Sequence, residues 1–91
     1  MPLSENNIIF APDALREYET FAKTSVATLR KINRLLDDII AHPFYGIGKP
    51  EALKYELSGC WSRRINHGHR LVYRVAGDTL HIISCRFHYV P

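Results

Sequence analysis

Residues 61–75 run Trp61-Ser62-Arg63-Arg64-Ile65-Asn66-His67-Gly68-His69-Arg70-Leu71-Val72-Tyr73-Arg74-Val75, and this stretch decides the fold. Two alternating runs, Trp61–Asn66 and Arg70–Val75, flank a His67-Gly68 turn. In the second run Leu71, Tyr73 and Val75 share one face of a strand, while Arg70, Val72 and Arg74 share the other. Moving outward, Leu53–Leu57 and Leu80–Arg86 also read as strands, punctuated by Ser58-Gly59 and Gly77-Asp78. Turns this short join antiparallel neighbours, because parallel pairing needs a long crossover. The second half of the chain is therefore an antiparallel meander.

Upstream of the His42–Pro50 loop, with its two prolines and two glycines, the period changes from 2 to about 3.6. Asn7–Phe10 is a short strand. Ala11–Ala22 is an amphipathic helix with Pro12 in its first turn and Leu15, Tyr18 and Phe21 on one face. Thr24 or Ser25 caps a second helix, whose apolar stripe is Val26, Leu29, Ile32, Leu36, Ile39 and Ile40. It ends before His42-Pro43, since the residue preceding proline is pushed out of the helical region. A helix of about 16 residues is a rod of about 24 Å, long enough to cover a small sheet. Lys31 and Arg34 lie off its stripe and are expected to face water. The order β-α-α-β-β-β-β predicts an α+β domain, with two N-terminal helices packed on one face of a twisted, mainly antiparallel sheet. The opposite face is left as a working surface. Residues 1–91 form a single domain, with 1–6 as a flexible leader and 90–91 as a short C-terminal extension.

Composition narrows the class. The 91 residues are 46% hydrophobic and 23% charged, an ordinary globular balance that excludes intrinsic disorder. A chain this short hides roughly 60–65% of its unfolded surface, enough for one thin core. No apolar run approaches the roughly 20 residues of a membrane span, and Met1–Asn7 is too polar for a signal peptide. Cys60 and Cys85 are too few for a disulfide scaffold and read as small buried hydrophobes in a reduced, cytoplasmic chain. Charge is divided unevenly. Residues 1–48 hold five Lys/Arg against six acids, whereas residues 49–91 hold seven against three, with four of the five histidines. A basic half-chain fits a polyanionic partner, either nucleic acid or an acidic protein segment, and equally a merely solvated basic surface.

Three groups of residues could carry chemistry. Strand alternation sets Arg64 with Ser62 and Asn66, and Arg63 on the other face with Trp61 and Ile65. One arginine of the pair is expected at the sheet surface, the other near an edge or snorkelling past apolar neighbours. Arg64 and Arg70 could converge across the turn as a bidentate phosphate grip, although exposed arginine rows also occur without a function. Lys49, Glu51 and Lys54 form a second group, in isolation a surface ion-pair cluster. Beside the charge accumulating on a phosphate, Glu51 gains affinity for a proton. The third group is Arg86-Phe87-His88-Tyr89, where His88 suits acid–base work near neutral pH. Other chemistries fit poorly. His67-Gly68-His69 lacks companion ligands at zinc spacing, and Gly46-Ile47-Gly48-Lys49 lacks the spacing and following helix of a phosphate loop. Neither a metal nor a cofactor is expected.

Taken together, the blocks Pro43-Phe44-Tyr45-Gly46-Ile47-Gly48-Lys49-Pro50-Glu51, Leu57-Ser58-Gly59-Cys60-Trp61-Ser62-Arg63-Arg64-Ile65, His69-Arg70-Leu71-Val72-Tyr73 and Cys85-Arg86-Phe87-His88-Tyr89 resemble the YoeB/Txe family of toxins, in the RelE/ParE superfamily. Arg30-Lys31-Ile32-Asn33 adds to the match, which runs from about Ile8 to Tyr89. The resemblance implies a RelE-like microbial RNase fold and a ribosome-dependent endoribonuclease that cuts mRNA in the decoding site. It also implies a cognate antitoxin, commonly a homodimer, and no membrane partner. Residue by residue, the family's general base falls on Glu51, its general acid on His88, its phosphate-stabilising arginine on Arg70 and its substrate-positioning tyrosine on Tyr89. Lys49, Lys54 and Arg64 match basic residues of the same site. An acidic C-terminal segment of the antitoxin would find a partner in the basic half of this chain. Val90-Pro91 departs from the family pattern by extending the chain past the His-Tyr pair. Two other readings remain open at this point: a ParE-like poison of a target such as DNA gyrase, and a non-catalytic binding module.

Overall fold

The computed structural model describes residues 3–87. Helix α1 (Pro12–Thr24) opens with proline at its first position, where the missing N–H costs nothing, and with Asp13 against the positive end of the helix dipole. It stops at Ser25, whose N–H donates to the Phe21 carbonyl at 2.8 Å. Ser25 also starts the next helix, α2 (Val26–Ala41), its hydroxyl accepting the Thr28 N–H at 3.3 Å. One residue thus turns the chain between two helices. Helix α2 ends at His42, before Pro43, as the sequence dictates.

Five strands follow the order β1-β5-β4-β3-β2. They are β1 (Ile8–Phe10), β2 (Glu51–Ala52), β3 (Trp61–Arg64), β4 (Arg70–Ala76) and β5 (Thr79–Phe87). Strand β1 pairs in parallel with β5, and the remaining pairings are antiparallel. The first and last strands are therefore neighbours, and the two helices supply the crossover that parallel pairing needs. No helix is long and apolar enough to cross a membrane among the described residues.

The core lies between helices and sheet. Ala14 and Phe21 from α1 and Ile32, Leu35, Leu36 and Ile39 from α2 meet Leu71, Tyr73, Leu80, Ile82 and Cys85. Val26, expected on the stripe of α2, is 56% exposed instead. Six residues at about 100° each set it about 120° round the helix from Ile32. Leu35, which is on the inward side, takes that share of the core. Burial, then the charge of Glu17, pushes the Cys85 thiol up to about 12, so it packs as an inert small hydrophobe.

Strand β5 carries one extra residue against β4 between the pairs Tyr73↔Ile82 and Val72↔Ser84, and another between Val72↔Ser84 and Arg70↔Phe87. These bulges break the two-residue alternation. Leu80, Ile82 and Cys85 all point to the helices, whereas Ile83 and Phe87 join Leu53, Leu57, Cys60 and Val72 on the far side. The Glu17 carboxylate fastens the bulge to α1, accepting the Cys85 N–H at 2.8 Å.

Three expectations are corrected here. The strand expected over Leu53–Leu57 is only Glu51–Ala52, followed by a 3-10 turn at Tyr55–Leu57. Leu53 makes one more cross-strand bond to Cys60, after which Tyr55 takes a left-handed φ of 58° and the backbone bonds to itself. The four-residue spacing of Leu53 and Leu57 belongs to this turn, with both side chains folded into the second apolar cluster. That cluster also means the face opposite the helices is partly covered by its own chain. Finally, within the expected leader, Leu3 packs into the core and Glu5–Asn7 forms a 3-10 turn. The described part of that segment is built into the fold.

Candidate active site

The 42–50 loop is organised by Arg63. Its side chain is fully buried on the helix side, not at an edge or snorkelling. All five guanidinium N–H groups find acceptors. Nε donates to Tyr73 Oη at 3.2 Å, Nη1 to Asp38 Oδ2 and to the Ile47 carbonyl at 3.1 Å, and Nη2 to the carbonyls of His42 and of Tyr45, the latter at 3.0 Å. The Tyr73 hydroxyl in turn donates to the Pro43 carbonyl at 2.7 Å. A chain rich in Pro and Gly has few side chains to pack, so here one buried cation collects its carbonyls. Gly46 and Gly48 let the loop close on this centre. Both have positive φ, and a Cβ would lie 2.0 Å from Asp38 Oδ2 at Gly46 and 2.8 Å from Leu35 Cδ2 at Gly48.

Burial acts to raise the Asp38 pKa, but the Arg63 hydrogen bond, the Ile47 N–H and the charges of Arg63 and His42 outweigh it, leaving the carboxyl below its ordinary value. For a depressed folded-state pKa, the stability is present above the unfolded value of 3.8 and is lost as pH falls through the folded one. Thermal melts from neutral pH downward should therefore hold until about pH 4 and then drop. Asp38→Asn should lose most of that acid limb.

The loop delivers its last residues to the face of the sheet away from the helices. The Arg64 N–H donates to the Gly48 carbonyl at 2.6 Å, closing loop on strand. Lys49 then adopts a φ of 52°, and its carbonyl accepts from Arg70 Nη2 at 3.2 Å. Arg70 Nε donates to the buried Ser62 hydroxyl at 2.8 Å, and Nη2 lies 3.7 Å from Glu51 Oε2. The guanidinium is held on two sides, with its side chain 13% exposed, beside a carboxylate that is 48% exposed. A fixed cation next to an accessible carboxylate can grip an anion and take a proton from a group bound to it.

Of the residues singled out in the sequence, Glu51, Arg70 and the Lys49 backbone are brought into contact. Arg64 is the cross-strand partner of Arg70 and exposed on the same face. Lys54 is exposed at the start of the 3-10 turn, with no contact to Glu51 or Arg70 in the hydrogen-bond and ion-pair network. His88 and Tyr89 lie outside the described residues. Phe87, the residue before them, is the Cα partner of Arg70, so β5 carries the chain to this site. Lys31, expected to face water, is half-buried. Among the described residues no three His, Cys, Asp or Glu gather as a metal ion would need.

Two residues that matter escaped the sequence reading. Asp38 is an acid in the last turn of α2, where the dipole disfavours it, and that local misfit signals a cation nearby. Ser62 is a hydroxyl placed among strand residues that become buried, and it needs a partner for that reason.

A family profile described as YoeB-like toxin of bacterial type II toxin-antitoxin system matches residues 10–89. The chain is 52% identical over 82 residues to Toxin YoeB of Synechocystis sp., covering 90% of this chain and 95% of that protein. It superposes on the YoeB dimer structure from Staphylococcus aureus with a TM-score of 0.87 at 48% identity, covering 91% and 97% of the two chains. A heterotetrameric YoeB-YefM toxin-antitoxin complex from the same organism gives 0.85 at 44% identity, covering 98% and 100%. A match that begins at the last residue of β1 and spans both helices and the four later strands leaves one conclusion: the chain belongs to the family of YoeB-like toxins of bacterial type II toxin–antitoxin systems.

Proposed function

We propose that this chain is a ribosome-dependent endoribonuclease that cuts mRNA in the decoding site and so stops translation. The observation that carries the reading is the Glu51–Arg70 pair, a proton acceptor beside a phosphate grip that Ser62 and the Lys49 carbonyl hold in place. RNA brings its own nucleophile, the 2′-hydroxyl. Glu51 takes the proton of that hydroxyl as the oxygen attacks the adjacent phosphorus. Arg70, with Arg64, Lys49 and Lys54, offsets the charge that builds on the phosphorane oxygens, commonly the largest catalytic contribution. The bond from phosphorus to the 5′-oxygen breaks, and His88 gives that oxygen a proton. The products are a 2′,3′-cyclic phosphate and a 5′-hydroxyl, and Tyr89 positions the substrate. No step needs a metal or a cofactor.

In the same reading the toxin acts in the cytoplasm, where it meets ribosomes, and is neutralised by an antitoxin whose acidic C-terminal segment lies on the basic half of the chain. The solved YoeB-YefM complex and YoeB dimer of Staphylococcus aureus support an antitoxin partner and a homodimer. The deciding experiment is primer extension on mRNA in a purified translation system. Wild type should cut at the decoding site, and Glu51→Gln should be slower by about 10²-fold or more. Intact mRNA in the presence of a protein that still arrests growth would replace the nuclease with a target-binding poison.

A further inference from the structure

Beside the Glu51–Arg70 pair, α2, the 42–50 loop and the β3–β4 turn enclose an open hollow of about 380 Å³. Lys31, Lys49, Arg64 and His67 line it, with Asn66 and the Gly48 backbone, and no lining residue is acidic. Three permanent cations from three separate elements repel one another there, and a bound anion relieves that repulsion. The walls are fixed. Gly48 is pressed against Leu35 of α2, and its carbonyl is tied to the Arg64 N–H. The Asn66 Oδ1 accepts the N–H groups of Gly68 and His69, both at 2.9 Å, which shapes the turn that carries His67. Even a neutral imidazole donates one hydrogen bond.

The hollow shares Lys49 and Arg64 with the surroundings of the Glu51–Arg70 pair. Lys49 lines it with one part and holds Arg70 with its carbonyl, while Arg64 lines it and pairs across the strands with Arg70. We propose that it receives a second phosphate of the RNA strand whose scissile phosphate sits at Arg70, with Lys31 and His67 as its added contacts. This rests on the nuclease reading and extends the substrate track beyond the reacting nucleotides. RNA is favoured over an acidic protein segment because the one apolar residue in the lining, Ile65, is only 4% exposed. Protein partners draw much of their binding energy from aromatic anchors packed against aromatic or apolar side chains, and no Phe, Tyr or Trp lines the hollow.

The test is fluorescence anisotropy with a dye-labelled, fully 2′-O-methylated RNA heptamer, which binds but lacks the nucleophile. Lys31→Ala and His67→Ala should each weaken binding about three- to tenfold. Lys31→Ala should also lower the slope of log Kd against log salt by about 0.7. Lys31→Arg should restore the affinity, and Lys23→Ala, on the exposed end of α1, should behave as wild type. Wild-type affinity in both alanine variants overturns the proposal, as does failure of the wild type to bind at low salt. Loss of affinity for a polyglutamate peptide but not for the RNA also overturns it, in favour of a protein-docking site. The two readings fail separately. Cleavage by wild type with an unshifted KM in both variants sinks the hollow alone, whereas absent cleavage sinks the nuclease and leaves the binding measurement to decide the hollow.

Discussion

Arg63→Met should destabilise the protein by about 3–5 kcal/mol, the usual cost of removing one partner from a buried ion pair. In a domain of this size each kcal/mol lowers the melting midpoint by about 4–8 °C, so the shift is unmistakable in a thermal scan or a urea titration. Methionine fills much of the volume, and the loss is therefore electrostatic. The carbonyls of His42, Tyr45 and Ile47 lose their donor, and Asp38 loses its counter-ion. Each orphaned buried acceptor costs about 1–3 kcal/mol. Adding Asp38→Leu should recover only part of the loss, because the carbonyls stay unpaired whatever stands at position 38. A single variant melting within a few degrees of wild type would mean that the loop does not depend on this cation.

Arg70→Ala should slow mRNA cleavage by about 10²–10³-fold, the effect of deleting one preorganised donor to a developing oxyanion. Stability should fall by about 1–3 kcal/mol, less than for Arg63→Met, since the buried Ser62 hydroxyl loses its partner. Arg70→Lys keeps the charge but not the planar fork, and should recover only a fraction of the rate. Single-turnover cleavage with saturating programmed ribosomes separates this from weakened binding. Equal rates for wild type and Arg70→Ala would move the phosphate grip elsewhere.

The fold was largely legible because two periods, 3.6 before residue 42 and 2 after residue 60, assign every long element. Between them legibility failed, for a physical reason. In residues 43–58 the conformation is set by hydrogen bonds to distant groups, Arg63 above all, and by left-handed residues such as Lys49 and Tyr55. Local pattern carries no trace of either. Alternation placed Arg63 and Arg64 on opposite faces correctly, yet could not tell that one face had a carboxylate and four further acceptors waiting. For the candidate site, charge and alternation picked out Lys49, Glu51 and Lys54 as one group and Arg64 with Arg70 as another, and only the resemblance joined them. The roles of acid and base came from family resemblance, since spacing alone does not distinguish a catalytic carboxylate from a surface one.

Among the described residues strand β1 finds its only sheet neighbour in β5, so residues 8–10 wait for residues 79–87 before they can be zipped into place. During synthesis the segment that carries β1 emerges early and has no strand to pair with until residues 79–87 have been made. Such long-range closure is slow and comes last. Loss of β5 therefore strips β1 of its partner strand as well, so the two ends of the sheet form and fail together.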